Sequence, residues 1–127
     1  MAQLEMITVP DGPPAGGPYS PAVVLGDLVF TAGQVAVNER GEVVGTTAFD
    51  QTIQTLRNLE RVLTAAGSSL DGVLKTTCFL VDISDFAEFN RAYVQVFGAH
   101  RPARSTVQVA GLVKGLLVEV ECVAARR

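Results

Sequence analysis

The sequence predicts an α+β domain in which a six-stranded mixed sheet carries two helices on one face. Short β-branched apolar runs stand near both ends of the chain, and two segments with apolar residues at helical spacing lie between them. The chain has 127 residues, 48% of them hydrophobic, which is enough for one core and too little for two. We therefore expect a single domain over residues 1–127 with the order βββ-α-β-α-ββ.

The first third of the chain predicts a loop followed by three short strands. Residues 10–21 contain five prolines and three glycines, which allow only an extended or turning segment. Residues 23–25 and 28–31 are apolar runs separated by Gly26-Asp27, a pair with the leading glycine that suits a two-residue hairpin. A third run, residues 35–37, precedes a turn signal at residues 38–41.

The middle of the chain predicts a helix, a strand and a second helix. Thr47 is a suitable N-cap, apolar residues then recur every three or four positions, and Gly67 stands where the chain would leave the helix, so the first helix should span residues 47–66. The β-branched run at residues 73–81 is typical of a strand buried on both faces. Asp85 should open the second helix. Its inner ridge would be Phe86, Phe89, Tyr93 and Phe97.

Residues 104–110 and 116–124 are predicted to close the chain as a hairpin around Gly111 and Lys114-Gly115. The even positions of the last strand are apolar and suit packing under the helices, whereas the odd positions include Glu119 and Glu121. Since antiparallel neighbours share a face, Arg104 would stand close to Glu119 or Glu121 on the face turned away from the helices.

That outer face would be half apolar and half ionic, because Leu117 and Val123 flank the two carboxylates and Phe79 would join them. A sheet face of this kind would leave a sizeable apolar patch in water. We expect copies of the chain to cover it in a homo-oligomer, with arginine and glutamate lining the clefts between them.

Composition excludes several classes of function. The net charge is −3 and the basic residues are scattered, which argues against a nucleic-acid surface. One histidine, His100, interpreted as a surface residue, and two cysteines cannot supply a structural zinc site. Cys78 and Cys122 are best explained as buried free thiols in a reducing compartment. The first fifteen residues lack a secretory pattern and no apolar stretch reaches eighteen residues, so we expect a cytoplasmic protein without membrane contact.

Arg104 is the leading candidate for binding a small acid, because a guanidinium presents a planar fork that matches a carboxylate. The alternative is a structural ion pair with Glu119 or Glu121. Each of these glutamates interrupts an apolar strand, where lost solvation should raise the pKa and suit proton exchange with water. The alternative is that they are charges that prevent aggregation of an edge strand.

Two residues near the N-terminus complete the candidates from the pattern alone. Tyr19 follows Gly17-Pro18 in the proline-rich loop, where its hydroxyl would reach a substrate or simply pack against the domain. Gly33 follows the second strand and would bring main chain close to a cleft. Cys78 lies in the middle of a strand and is better explained as core than as a nucleophile.

Taken together, the motifs resemble those of the RidA (YjgF) family of reactive-intermediate deaminases over nearly the whole chain. In chain order they are Gly17-Pro18-Tyr19-Ser20, Thr31-Ala32-Gly33-Gln34, Asn58-Leu59, Asp85-Phe86, Asn90, Tyr93, Pro102-Ala103-Arg104-Ser105 and Val118-Glu119-Val120-Glu121. The Pro-Ala-Arg-Ser stretch followed by a glutamate-rich last strand is the most specific of them.

The resemblance implies a chorismate-mutase-like α+β domain that assembles as a homotrimer with three clefts between subunits. It also implies a cofactor-free hydrolase that converts the enamine and imine products of pyridoxal-phosphate enzymes, such as 2-aminoacrylate and 2-iminobutyrate, to 2-oxo acids and ammonia. Arg104 would bind the substrate carboxylate, Glu119 rather than Glu121 would activate water, and Tyr19 would hydrogen-bond near the imine. Gly33 would contribute main-chain contacts. Substrate-binding positions on the cleft wall would be Phe89, Asn90 and Thr106.

The chain departs from the family pattern at two positions. Ala32 stands where these deaminases commonly carry serine, and Thr106 stands where they often carry cysteine. The first change removes one hydrogen-bonding group, so a protein that binds small carboxylates without catalysis is an alternative. Some family members are described as ribonucleases or translation inhibitors, an alternative that the negative charge and the single histidine disfavour.

Overall fold

The computed structural model describes residues 3–126 and confirms the α+β class, with a mixed sheet on which both helices pack. The strands are β1 Leu4–Ile7, β2 Ala22–Leu25, β3 Leu28–Thr31, β4 Gln34–Val35, β5 Val73–Leu80, β6 Ala103–Gln108 and β7 Val118–Ala125. The helices are α1 Ala48–Ala65 and α2 Phe86–Phe97, and three short 3₁₀ turns lie at residues 70–72, 83–85 and 113–115. The strands run in the order β1-β2-β3-β7-β5-β6, and β4 also pairs with β7.

The sheet formed within residues 3–126 has seven strands. The prediction of six strands was wrong because it did not include the N-terminal strand β1. This strand pairs antiparallel with β2, which continues into the predicted hairpin with β3. Three of the four β1 side chains are exposed and only Ile7 is buried. A strand that buries one side chain leaves almost no alternating pattern, which is why the sequence did not predict it.

Helix α1 agrees with the prediction at both ends. The amide of Asp50 donates to Thr47 Oγ1 at 3.1 Å, which caps the first turn. Gly67 has a φ of 82°, the left-handed conformation that ends helices. The buried face of α1 includes Leu56, Leu59 and Leu63, which join the main hydrophobic core between the helices and the sheet.

Helix α2 starts differently from the prediction. The Asp85 side chain makes no capping hydrogen bond. Instead Asp82 Oδ1 accepts from the amide of Ser84 at 2.9 Å and caps a 3₁₀ turn that leads into α2. Three residues of the predicted aromatic ridge, Phe89, Tyr93 and Phe97, are buried, whereas Phe86 is 41% exposed.

The predicted C-terminal hairpin is wrong. Strand β6 pairs parallel with β5, and β7 pairs antiparallel with β5 on its other side. A strand that returns after a packed helix runs parallel to the strand before that helix, so β5, α2 and β6 form a crossover unit. Strand β7 then passes back between β3 and β5, which leaves β6 at the edge of the sheet.

Because β6 pairs with β5 and not with β7, Arg104 lies on the face of the sheet opposite to the one predicted. Arg104 is level with Thr76 of β5, whose side chain is buried beneath the helices, whereas Glu119 is level with Phe79 on the other face. Because residues level with each other across a sheet point to the same side, Arg104 and Glu119 lie on opposite faces. The predicted proximity of Arg104 to Glu119 or Glu121 within one chain is therefore wrong.

The face away from the helices, called here the open face, combines apolar residues with Glu119 and Glu121 as predicted, but it lacks the predicted Arg104. The even positions of β7 are buried under the helices, and the odd positions, which include Glu119 and Glu121, are half-buried on the open face. Strand β5 alternates in the same way, so its predicted burial on both faces does not occur within one chain. Large partly exposed apolar side chains of the open face include Leu28, Phe30, Phe79, Val107 and Val123.

Other predictions concern single residues. Cys78 and Cys122 are buried free thiols, as expected. His100 is not the surface residue that was predicted: it is half-buried, and its Nε2 donates to the carbonyl of Val73 at 2.8 Å. Among residues 3–126, no helix is both long and apolar enough to cross a membrane.

Candidate active site

An extra residue in the strand formed by β3 and β4 shapes the first half of the site. Between the pairs Phe30–Val123 and Gln34–Val120, three residues of this strand face two residues of β7, which is a β-bulge. The amide of Cys122 donates to Thr31 Oγ1 at 3.0 Å, so a side chain replaces a missing main-chain acceptor. The bulge brings Gly33 against the side chain of Glu119.

The contact between Gly33 and Glu119 leaves no space for a larger residue. A Cβ atom added at Gly33 would lie 2.3 Å from Glu119 Oε2 and 2.7 Å from Cδ. Glycine at this position therefore lets the carboxylate lie directly on the main chain. The main chain at Gly33, which was predicted to line a cleft, therefore packs directly against the side chain of Glu119.

Burial raises the pKa of the Glu119 carboxyl above its usual range, and the nearby charge of Glu121 adds to the effect. This agrees with the expectation that a glutamate on an apolar strand loses solvation. A carboxyl group with a raised pKa holds a proton more readily near neutral pH than an exposed glutamate does. Glu119 therefore suits both removal and return of a proton.

Tyr19 lies in the proline-rich loop and is 52% exposed. The amide of Gly16 donates to Tyr19 Oη at 3.0 Å, and the ring packs on the main chain of Gly17. Because the hydroxyl oxygen accepts this hydrogen bond, its own proton remains available to a ligand. Tyr19 and Gly33 line one small pocket of about 50 Å³.

Asn58 of α1 fixes the floor of that pocket. Its Nδ2 donates to the carbonyls of Val35 and Val37 at 2.9 and 2.8 Å, and its Oδ1 accepts from Gln54 Nε2 at 3.0 Å. Asn58 is buried and lines the pocket with Tyr19 and Gly33. A buried amide with all these partners holds β4 rigidly on α1.

Arg104 forms the second half of the site, on the helix side of the sheet. Its guanidinium carbon lies 4.8, 5.4 and 5.5 Å from the ring centres of Tyr93, Phe89 and Phe86, respectively. Such contacts attract a cation through the negative faces of the rings. Arg104 has no ion pair with any carboxylate in the described part of the chain, so the predicted alternative, a structural ion pair with Glu119 or Glu121, does not form within one chain.

A pocket of about 350 Å³ opens beside Arg104 and is called here the Arg104 pocket. Its lining residues are Asn90, Tyr93, Val94, Arg101, Pro102 and Arg104. Asn90 Oδ1 is buried and has no hydrogen-bond partner within residues 3–126, whereas the buried Thr106 Oγ1 has only the weak thiol donor of Cys78 beside it. Buried polar atoms are normally paired, so Asn90 Oδ1 is available for a ligand or a second subunit.

The structure thus divides the predicted residues into two groups. Tyr19, Gly33 and Glu119 lie together at the bulge. The residues predicted for the cleft wall lie with Arg104 on the helix side: Phe89, Asn90 and Thr106. Sequence reasoning missed Tyr93 and Arg101 as parts of the site; the position of Tyr93 on the aromatic ridge of α2 is the signal that would have identified it.

Metal binding has no support in the part of the chain from residue 3 to residue 126, because no three His, Cys, Asp or Glu side chains cluster there. Burial raises the pKa of the Cys78 thiol to about 11, which keeps it protonated at neutral pH. Cys78 is therefore a core residue, as predicted, although it lies level with Thr106.

Comparison with known protein families shows the family to which the chain belongs. The profile of a family described as Endoribonuclease L-PSP matches residues 10–126. The chain belongs to this family. The resemblance to RidA (YjgF) proteins drawn from the motifs is confirmed, since L-PSP relatives of this chain include proteins named for RidA and RutC.

Individual L-PSP relatives cover nearly the whole chain. A RutC family protein of Pyrococcus horikoshii is 42% identical over 121 residues, which are 94% of this chain and 96% of that protein. Reactive Intermediate Deaminase A of Arabidopsis thaliana, a chloroplastic protein, is 40% identical over 94% of this chain and 65% of its own. The crystal structure of Escherichia coli TdcF with bound serine is 39% identical, with a TM-score of 0.90, and the match covers 97% of this chain and 99% of that one.

Proposed function

We propose that the protein hydrolyses small 2-enamino and 2-imino acids, such as 2-aminoacrylate and 2-iminobutyrate, to 2-oxo acids and ammonia. The proposal rests on the surroundings of the Arg104 side chain. Its guanidinium lies on three aromatic rings, lines an open pocket and has no carboxylate partner in residues 3–126. A cation held in this way is suited to a ligand that brings its own carboxylate.

Two relatives support the substrate class. One is named a reactive intermediate deaminase, and the TdcF structure contains serine, a small amino acid whose carboxylate has the chemistry that Arg104 would bind. The proposed substrates have the same carboxylate and a nitrogen on the neighbouring carbon. Their carbon skeletons are products of pyridoxal-phosphate enzymes that eliminate water from hydroxy amino acids, which gives a functional link to such enzymes.

The complete site would form between copies of the chain. Arg104 and Glu119 lie on opposite faces of one sheet, so one chain cannot place both on a small substrate. The apolar open face favours self-association, because partly exposed Phe30 and Val107 would otherwise remain in water. We propose a homotrimer in which Glu119 and Tyr19 of one copy face the Arg104 pocket of the next.

In this site the hydrolysis would proceed by positioning and proton transfer. Arg104 holds the carboxylate while the enamine gains a proton on carbon, loses one from nitrogen and becomes the imine. Glu119 removes a proton from water as the water oxygen bonds to the C=N carbon, and the nitrogen gains that proton. The hydroxyl proton of the carbinolamine then passes to the nitrogen through Glu119, the C–N bond breaks, and ammonia leaves as the carbonyl of the 2-oxo acid forms. No cofactor takes part in this scheme.

The hydroxyl of Tyr19 and the Asn90 amide would assist. Tyr19 has a proton to donate toward the nitrogen end of the substrate, since its oxygen already accepts from Gly16. Asn90 Oδ1 is a buried acceptor without a partner in the described residues, and an imine or enamine N–H would satisfy it. Gly33 and Thr106 would contact the substrate from the two sides of the cleft.

The test is a coupled assay in which a pyridoxal-phosphate dehydratase generates the enamine and ammonia release is followed. Arg104→Ala should abolish the acceleration, and Glu119→Gln should reduce turnover while the trimer persists. Arg40→Gln is the matched control, because Arg40 is an exposed arginine that pairs with Glu42 and lines neither pocket of the site. Full activity of the Arg104 variant would refute the proposal.

The same assay separates the remaining alternatives. A protein that binds 2-oxo acids without accelerating ammonia release would be a carboxylate-binding member of the family, the outcome that Ala32 makes worth testing. RNA cleavage is disfavoured by the net charge of −3. In addition, Arg57 and Arg91, two of the exposed arginines, are paired with glutamates.

A further inference from the structure

Arg101 is a second cation in the Arg104 pocket that the proposed hydrolysis does not use. It lies between α2 and β6, and its Nη1 donates to the carbonyls of Gly98 and His100 just beyond the helix end. A guanidinium has five N–H donors, so these bonds fix the group and leave other donors free. Arg101 makes no ion pair within residues 3–126.

The pocket therefore contains two positive charges and no carboxylate among its lining residues. This differs from much of the surface, where cations stand beside acids. Arginines paired with glutamates are Arg40, Arg57, Arg91 and Arg126. Two unpaired guanidinium groups around one pocket attract a ligand with two negative charges more strongly than a ligand with one.

We propose that the Arg104 pocket selects substrates with a second acid group, that is, 2-imino dicarboxylic acids. Arg104 holds the carboxylate next to the imine, an assignment that rests on the proposed function, and Arg101 holds the distal carboxylate. The pocket of about 350 Å³ has room for a small linear dicarboxylic acid. Arg101 is then a specificity-determining residue.

The test measures binding of two stable 2-oxo acids by isothermal titration calorimetry: 2-oxobutyrate with one carboxylate and 2-oxoglutarate with two. The wild-type protein should bind 2-oxoglutarate about fivefold more tightly, the effect of one exposed charge pair. Arg101→Gln should remove this preference, because it should weaken 2-oxoglutarate binding more than 2-oxobutyrate binding. Equal affinities in the wild type, or an unchanged ratio in Arg101→Gln, would overturn the inference.

Two further variants make the result specific. Arg101→Lys keeps the charge and should keep most of the preference, which separates charge from a structural role of the hydrogen bonds to Gly98 and His100. Arg61→Gln removes an arginine that also donates to a main-chain carbonyl, and it should leave the ratio unchanged.

The inference and the proposed function fail separately. A dicarboxylate preference that depends on Arg101, in a protein that does not accelerate ammonia release, supports the inference and refutes the hydrolysis. Accelerated ammonia release with the same Kd ratio in the wild type and in Arg101→Gln refutes the inference and supports the hydrolysis.

Discussion

The carboxylate of Glu119 occupies the space that a side chain at Gly33 would need, with Oε2 only 2.3 Å from the place of a Cβ atom. Gly33 is not among the described glycines with positive φ, so its backbone would accept alanine. Glycine is required here by the neighbour and not by the backbone. The position of the Glu119 carboxylate therefore depends on the β-bulge that contains Gly33.

Gly33→Ala should reduce activity without a large loss of stability. The new methyl group would collide with the end of a flexible side chain, which can move away cheaply, but the carboxylate would then leave its place. A misplaced catalytic group costs roughly tenfold to a hundredfold in turnover. The measurement is kcat in the coupled assay together with thermal unfolding. Gly111→Ala is the control, since no atom lies within 4 Å of its Cβ position. Wild-type kcat in Gly33→Ala would contradict the assignment.

The pH dependence of hydrolysis should report the raised pKa of Glu119. As a base, Glu119 acts only when ionised, so kcat/KM should fall on the acid side with an apparent pKa above that of an ordinary glutamate. Glu121→Gln removes the neighbouring charge that raises this pKa, and it should shift the acid limb to lower pH. An acid limb that does not move in Glu121→Gln would contradict the coupling between the two carboxylates.

The same raised pKa makes Glu119 costly for stability. A carboxyl whose pKa is higher in the folded state binds protons more tightly when folded, so its ionisation above that pKa destabilises the fold. Glu119→Gln should therefore be more stable than the wild type at neutral pH. The difference should vanish as the pH falls below the unfolded carboxyl pKa of about 4.3, where both states are protonated. Urea unfolding at several pH values measures it.

Thr55 offers a stability prediction away from the site. It is fully buried in α1, and its Oγ1 has no hydrogen-bond partner within residues 3–126. Thr55→Val has nearly the same shape and removes the unpaired hydroxyl, so the free energy of unfolding should rise by about 1 kcal/mol. Thr52 is the matched control: its hydroxyl donates to the carbonyl of Ala48 at 2.7 Å, and Thr52→Val should bring no gain. A less stable Thr55→Val would contradict the prediction.

Local signals in the sequence predicted α1 correctly, whereas the neighbours of β6 were not predictable in the same way. Thr47 and Gly67 mark the ends of α1 because capping depends on residues within one turn. Sheet order depends on contacts between distant segments, and two apolar runs around Gly111 have the pattern of a hairpin whether or not they pair. One wrong pairing was enough to place Arg104 on the wrong face.

In the candidate site, too, local signals were predictable from the sequence and contacts between distant segments were not. The types and positions of Tyr19, Gly33, Glu119 and Arg104 came from motifs, which are local. Their grouping into two half-sites came from the bulge and from the parallel β6, which the sequence did not indicate. The aromatic surroundings of Arg104 required both the ridge of α2 and the correct face of β6.

A charge on the open face should dissociate the oligomer and abolish activity together. Val107 lies on that face at the edge strand β6 and is 44% exposed in one chain. If copies of the chain cover it, Val107→Asp buries an unpaired carboxylate, which costs several kcal/mol at each contact. Sedimentation velocity should show trimer for the wild type and monomer for Val107→Asp. Val43→Asp changes an equally exposed valine in the loop between β4 and α1, and it should remain trimeric and active. Because Arg104 and Glu119 of one chain face opposite sides, an active Val107→Asp monomer would refute a site shared between copies.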